Sequence, residues 1–188
     1  MFYGASSFNG DLSKWDVSNI TNMTGAFYGA LSFNSELNDW NVSKVTDMQS
    51  MFTSALNFNQ DISNWNVANV ENMGQMFGNA ISFNQDISKW DVSNVVSLGW
   101  MFSNAYSFDQ DLSGWDVSNV TDMRYMFEGV TLSTANYDEI LNGWSELTLQ
   151  DDVDFHGGNS KYSSVSEAAR AKIISDFNWT ITDGGKKQ

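Results

Sequence analysis

The sequence predicts an α/β fold, a right-handed solenoid of parallel strands with about five 25-residue coils and a C-terminal α/β cap. Three observations predict it. Tryptophans recur at Trp15, Trp40, Trp65, Trp90 and Trp115, always 25 residues apart. Phe8, Val17 and Ala5 open columns with the same interval, reaching Phe108, Val117 and Ala105 without a slip. The pattern then fails after Phe127, where a different sequence begins. A fixed period in the range of roughly 20 to 50 residues means stacked supersecondary units, none able to bury its apolar side alone.

Within one unit, residues 58–80 carry the argument. Ile62, Trp65 and Val67 are spaced like the apolar positions of a leucine-rich-repeat strand, with Trp in place of a central leucine. Trp65, Asn66 and Val67 alternate as a half-buried strand requires. Met73, Met76, Phe77 and Ala80 then fall at i, i+3, i+4 and i+7, which predicts a helix with Asn69 or Asn72 near its start. A return loop carries Phe58, and the right-handed crossover rule sets the expected hand of the coil. The column Met23, Met48, Met73, Leu98, Met123 accepts leucine, so it reads as core filling and not as a metal site. Asn19, Asn69, Asn94 and Asn119, with Lys44 as the exception, predict a ladder of amides bonded to the neighbouring coil's backbone.

The solenoid is assigned to residues 1–129, a capping region to 130–185 and a tail to 186–188. In the cap, Tyr137, Ile140, Leu141 and Trp144 predict a longer amphipathic helix, and Val153 and Phe155 a short inward-facing strand ended by Gly157-Gly158. Residues 166–177 predict a second helix, with Ser166 as its cap and Ala169, Ile173 and Phe177 on one side. Trp179 and Ile181 mark a closing strand. Terminal units of solenoids must cover the apolar end of the stack, and this segment is expected to do so. At the other end, Met1-Phe2 aligns with Ala26-Phe27, Met51-Phe52 and Met76-Phe77, so the first coil is read as truncated and further coils are expected upstream.

With 188 residues, 41% of them hydrophobic, the chain can bury a substantial core. Its 23 acidic against 9 basic residues give a formal net charge of −14, which argues against nucleic acid and anionic membrane surfaces. The charge serves solubility of a repetitive surface. There is no cysteine, and no apolar run long enough to span a membrane.

Catalysis needs particular residues converging once, and the repeats offer little that is unique. Asp16, Asp91 and Asp116, with Asn41 and Asn66 between them, make an exposed strip with nothing to raise one carboxylate's pKa, so no catalytic residues are assigned and the protein is read as no enzyme. His156 is the single histidine and reads as a turn residue of the cap. A second acidic column, Asp11, Glu36, Asp61, Asp86 and Asp111, raises calcium as an alternative ligand. Against it stands the absence of any DxDxDG loop; no metal or cofactor is assigned. The informative positions are those that vary while the frame holds. In the column Gly25, Ser50, Gln75, Trp100, Tyr125, the last two coils place adjacent outward aromatics, with Arg124 beside them. Trp100, Tyr125 and Arg124 are therefore the candidate partner-binding residues, of the types enriched in interface hot spots.

The phrases "SFNQDIS.WDVSNV..L..MF.NA" over residues 82–105 closely resemble the 25 to 26-residue repeats of bacterial and Mycoplasma surface proteins grouped as BspA-like leucine-rich-repeat proteins. "LSTANYDEILNGW", "FHGGNSKYS" and "WTITDGG" resemble the terminal segment that follows such repeats. One departure is Ala26 where the repeat has Met. The resemblance implies extracellular or cell-surface exposure and a non-enzymatic role in adhesion, with a protein or glycan partner on a host or neighbouring cell. It transfers no catalytic residue and no defined ligand. A structural spacer or stalk within a larger surface protein is the alternative.

Overall fold

The computed structural model describes residues 1–188. Its four regular elements all lie after the repeats: α1 (Thr134–Ser145), β1 (Asp154–His156), α2 (Glu167–Phe177) and β2 (Thr180–Thr182). The repeats themselves hold neither the expected helix over residues 73–80 nor the expected strand at Trp65–Val67.

What they hold instead explains the misleading spacing. The N–H of Met76 donates to the carbonyl of Met73, and that of Ala80 to the carbonyl of Phe77, closing two successive four-residue turns. The ends of two such turns fall at i, i+3, i+4 and i+7, the same inward positions a helix would give. Gln75 and Asn79 occupy the third place of each turn with φ of +59° and +57°, the left-handed geometry that a type II turn demands. Helical bonding is prevented because alternate N–H groups point along the stack: those of Met73, Gln75, Phe77 and Asn79 donate to the carbonyls of Ser97, Gly99, Met101 and Ser103. Trp65 and Val67 are buried and Asn66 exposed, as alternation requires. They are flanked by further turns, however, Ile62 to Trp65 and Val67 to Val70, that leave no run of extended backbone. The parallel pairing falls elsewhere, as single bridges linking Asn22, Asp47, Asn72, Ser97 and Asp122 in turn.

Side chains stack in register along this backbone. Phe27, Phe52, Phe77, Phe102 and Phe127 follow one another at 5.4, 5.7, 5.7 and 5.4 Å between ring centroids. Trp40, Trp65 and Trp90 stack at 6.5 and 6.4 Å. Each buried indole N–H finds the carbonyl it needs in the preceding unit, Trp90 donating to Ile62 at 3.1 Å and Trp115 to Ile87 at 3.1 Å. The methionine column with Leu98 is buried throughout. Asn69, Asn94 and Asn119 donate through their amides to the carbonyls of Ser43, Ala68 and Ser93, and Lys44 donates to the Asn19 side chain. A second amide ladder, unforeseen from the sequence, runs through Asn9, Asn34, Asn59 and Asn84. Each Oδ1 accepts the backbone N–H of the next member, and Asp109 continues the line.

The C-terminal segment continues these ladders. Trp144 of α1 donates its indole N–H to Leu112, as a sixth rung would. Gln150 donates to Ser118 in line with the asparagines, and Asp109 accepts the N–H of Ser133, the N-cap of α1. Phe155 in β1 bridges in parallel to Met123, and β1 pairs in parallel with β2. Ser166 precedes α2 but does not cap it; its hydroxyl donates to Asp138. The outer edge is blunted by Arg170, which donates to the Ile181 carbonyl and to Asp183, while the Tyr137 hydroxyl donates to the same carboxylate.

Titration of these groups gives a first expected outcome. The Ser88 and Ser93 hydroxyls donating to Asp86 and Asp91, and the Ser63 N–H donating to Asp61, hold these carboxylates below their ordinary range. Burial, then the charge of Asp183, pushes the Tyr137 phenol above its own. Carboxylates depressed in the folded state stabilise above the unfolded value, and that stability is lost as pH falls through the folded one. A raised phenol stabilises below its unfolded value and is lost as pH rises. Melting followed by circular dichroism should therefore give a plateau near neutrality, falling below about pH 4 and above about pH 10. A midpoint that rises on acidification from pH 5 to pH 3 would contradict this.

Candidate functional site

The column that begins at Gly25 has a backbone requirement. All five members sit at positive φ: Gly25 at +58°, Ser50 at +56°, Gln75 at +59°, Trp100 at +56° and Tyr125 at +56°. Glycine takes this conformation freely, whereas a bulky side chain there costs about 1 to 2 kcal/mol. Only the first unit uses glycine. The last two place large aromatics where the backbone disfavours them, a form of strain that clusters at functional sites.

Trp100 is half-buried and Tyr125 is 44% exposed. Their rings stack at 5.2 Å, and Tyr125 in turn lies 5.7 Å from the His156 ring. Arg124 lies over Trp100 at 5.4 Å and is held by Asp122 through Nε at 2.9 Å and a second nitrogen at 3.1 Å. That fork drives the Asp122 carboxyl below its ordinary range and raises the guanidinium further.

Arg124 and Tyr125 line a cavity of about 300 Å³ between the last repeat and the C-terminal strands; Asp154, Phe155, His156, Thr180 and Thr182 complete it. The parallel register sets Asp154 opposite Thr180 and His156 opposite Thr182, with Phe155 buried between them. The structure brings all three residues singled out from the sequence into contact, but only Arg124 and Tyr125 reach the cavity. Trp100 stands behind Tyr125, outside the lining. His156 is no simple turn residue: it ends β1, and its Nδ1 accepts the Gly158 N–H at 3.2 Å, which leaves the proton of a neutral imidazole on Nε2. The alternation Asp154, Phe155, His156 was the one sequence signal that could have marked 154 and 156 as outward.

The acidic columns do other work. Asp11, Asp61, Asp86 and Asp111 each accept the backbone N–H two residues on, as do Asp16, Asp91 and Asp116. No group of three or more His, Asp or Glu side chains is placed to hold a metal ion.

A protein-family model described as "Mycoplasma protein of unknown function, DUF285" matches residues 1–86 and again 36–144. No curated protein and no solved structure matches the chain.

Proposed function

Because the chain belongs to this Mycoplasma repeat family, we propose that it works as a non-enzymatic recognition module, exposed outside the cell. In this reading it is a right-handed, BspA-like leucine-rich-repeat solenoid whose coils are built from turns. It presents a rigid surface to a protein or glycan on a host or neighbouring cell. Preordered surfaces bind with little ordering cost, so a few anchors suffice.

One observation carries the reading: the five units keep their inward columns, while the outward column from Gly25 to Tyr125 varies and ends in aromatics where the last unit meets the C-terminal strands. Trp100 and Tyr125 stack there, with the His156 ring tilted against Tyr125 and Arg124 beside them. The commitment of the Asp columns to turn hydrogen bonds supports the non-enzymatic half of the proposal. A spacer role draws on a different observation, the unbroken hydrogen-bonded ladders, which suit stiffness alone.

A variant pair separates the two. Trp100→Gly, Tyr125→Gly removes both rings while placing at each site the residue that its positive φ favours. The lost stack, worth about 0.5 to 1.5 kcal/mol, is offset by relief of a comparable strain. The variant should melt close to the parent. Capture of the labelled chain by a panel of matrix proteins, glycans and intact cells should be saturable for the parent and at least tenfold weaker for the variant. Equal capture by both would refute the assignment of these residues, and no capture by either would favour the spacer.

A further inference from the structure

We propose that the cavity between Tyr125 and the β1–β2 pair takes a neutral saccharide. This rests on the recognition reading above and narrows it to a ligand class. Asp154 and Thr180 face each other across the two strands, as do His156 and Thr182. All four line the cavity with Arg124 and Tyr125. Two threonine hydroxyls and a phenol both donate and accept, a carboxylate only accepts, a guanidinium only donates, and the Nε2 side of His156 donates when neutral. This mixture matches vicinal hydroxyl groups, each of which donates one hydrogen bond and accepts others.

Charge and polarity weigh against the simpler alternatives. An anionic ligand would need a free cation, but the Arg124 guanidinium is already forked onto Asp122, and Asp154 adds a further negative charge. A cationic ligand would find a single carboxylate in the lining, Asp154, beside the paired Arg124 guanidinium, too little charge to select a cation. An apolar peptide anchor would cover Asp154, His156, Thr180 and Thr182 without offering their polar groups a partner. A neutral, hydroxyl-rich ring fits what is left, with the exposed Tyr125 ring as an aromatic wall and a volume of about 300 Å³ at the small end of ligand pockets.

The test uses the full 188-residue chain. Methyl glycosides of glucose, galactose, mannose and N-acetylglucosamine, with sialic acid as the anionic control, would be titrated by calorimetry and by saturation-transfer NMR. At least one neutral glycoside should saturate, sialic acid should not, and Thr180→Val, Thr182→Val should weaken binding roughly tenfold without shifting the melting midpoint. Valine keeps the shape and strand preference of threonine and removes only the hydroxyl. Tighter binding of sialic acid, or neutral binding untouched by the valine variant, would overturn the proposal. If no neutral glycoside saturates while cell capture is still lost in Trp100→Gly, Tyr125→Gly, the saccharide assignment falls and the recognition reading stands. If capture also fails, both fall.

Discussion

Trp90→Ala should cost about 3 to 5 kcal/mol, the range for truncating a buried aromatic. Trp90 is 3% exposed, stacks on Trp65 at 6.4 Å, and packs against Phe77 at 6.4 Å. Alanine would open a cavity and remove the indole hydrogen bond to the Ile62 carbonyl, leaving that oxygen only the Trp65 N–H of its own turn. Each unit touches chiefly its neighbours, so a gap in the middle interrupts propagation along the stack. Urea denaturation should show a lowered midpoint, and a broadened transition where the halves uncouple. Trp15→Ala is the control: that ring is 45% exposed and should cost about 1 kcal/mol or less. Equal effects of the two substitutions would contradict the stacked-ladder account.

Gly158→Ala should be comparably severe, for a backbone reason. Gly158 has φ of +69°, and a Cβ there would run into the carbonyl oxygens of Phe127 and Val130. Those atoms belong to the last turn of the final repeat, which itself donates from the Phe127 N–H to the His156 carbonyl. The clash cannot be relieved by a rotamer change, so the C-terminal segment must shift off the stack, at a cost of about 3 kcal/mol or more. Because Gly158 also holds His156 Nδ1, the cavity should open at the same time. Gly114→Ala, where the nearest atom to a new Cβ is 3.8 Å away, should be close to neutral in the same melts. A Gly158→Ala protein that melts with the parent would show that this junction is not rigid.

The periodicity was legible because every unit meets the same neighbours, so the inward columns had to repeat. The local conformation was not. Met73, Met76, Phe77 and Ala80 satisfy a helix and a pair of consecutive turns equally well. Bonds from Gln75 and Phe77 to the next unit decide for the turns, and no spacing within one unit contains that information. The C-terminal elements fared better because α1 and α2 form their own internal bonds and carry their own periodicity. The cavity was half visible. Tyr125 stood out at the end of a column that varies while the frame holds, with Arg124 beside it. Asp154, His156, Thr180 and Thr182 belong to a segment with no internal copy for comparison, and they meet only through a parallel pairing that joins residues 26 positions apart.

The most direct test of the central claim, that recognition is seated where the last repeat meets β1 and β2, is hydroxyl-radical footprinting of the chain bound to intact cells. The molecule carries its own controls, since Tyr3 and Tyr106 are 69% and 64% exposed and lie away from the cavity lining. Binding should protect Tyr125 and His156 and leave Tyr3 and Tyr106 as reactive as in the free chain. Protection of Tyr3 or Tyr106 with Tyr125 and His156 still fully labelled would contradict the account.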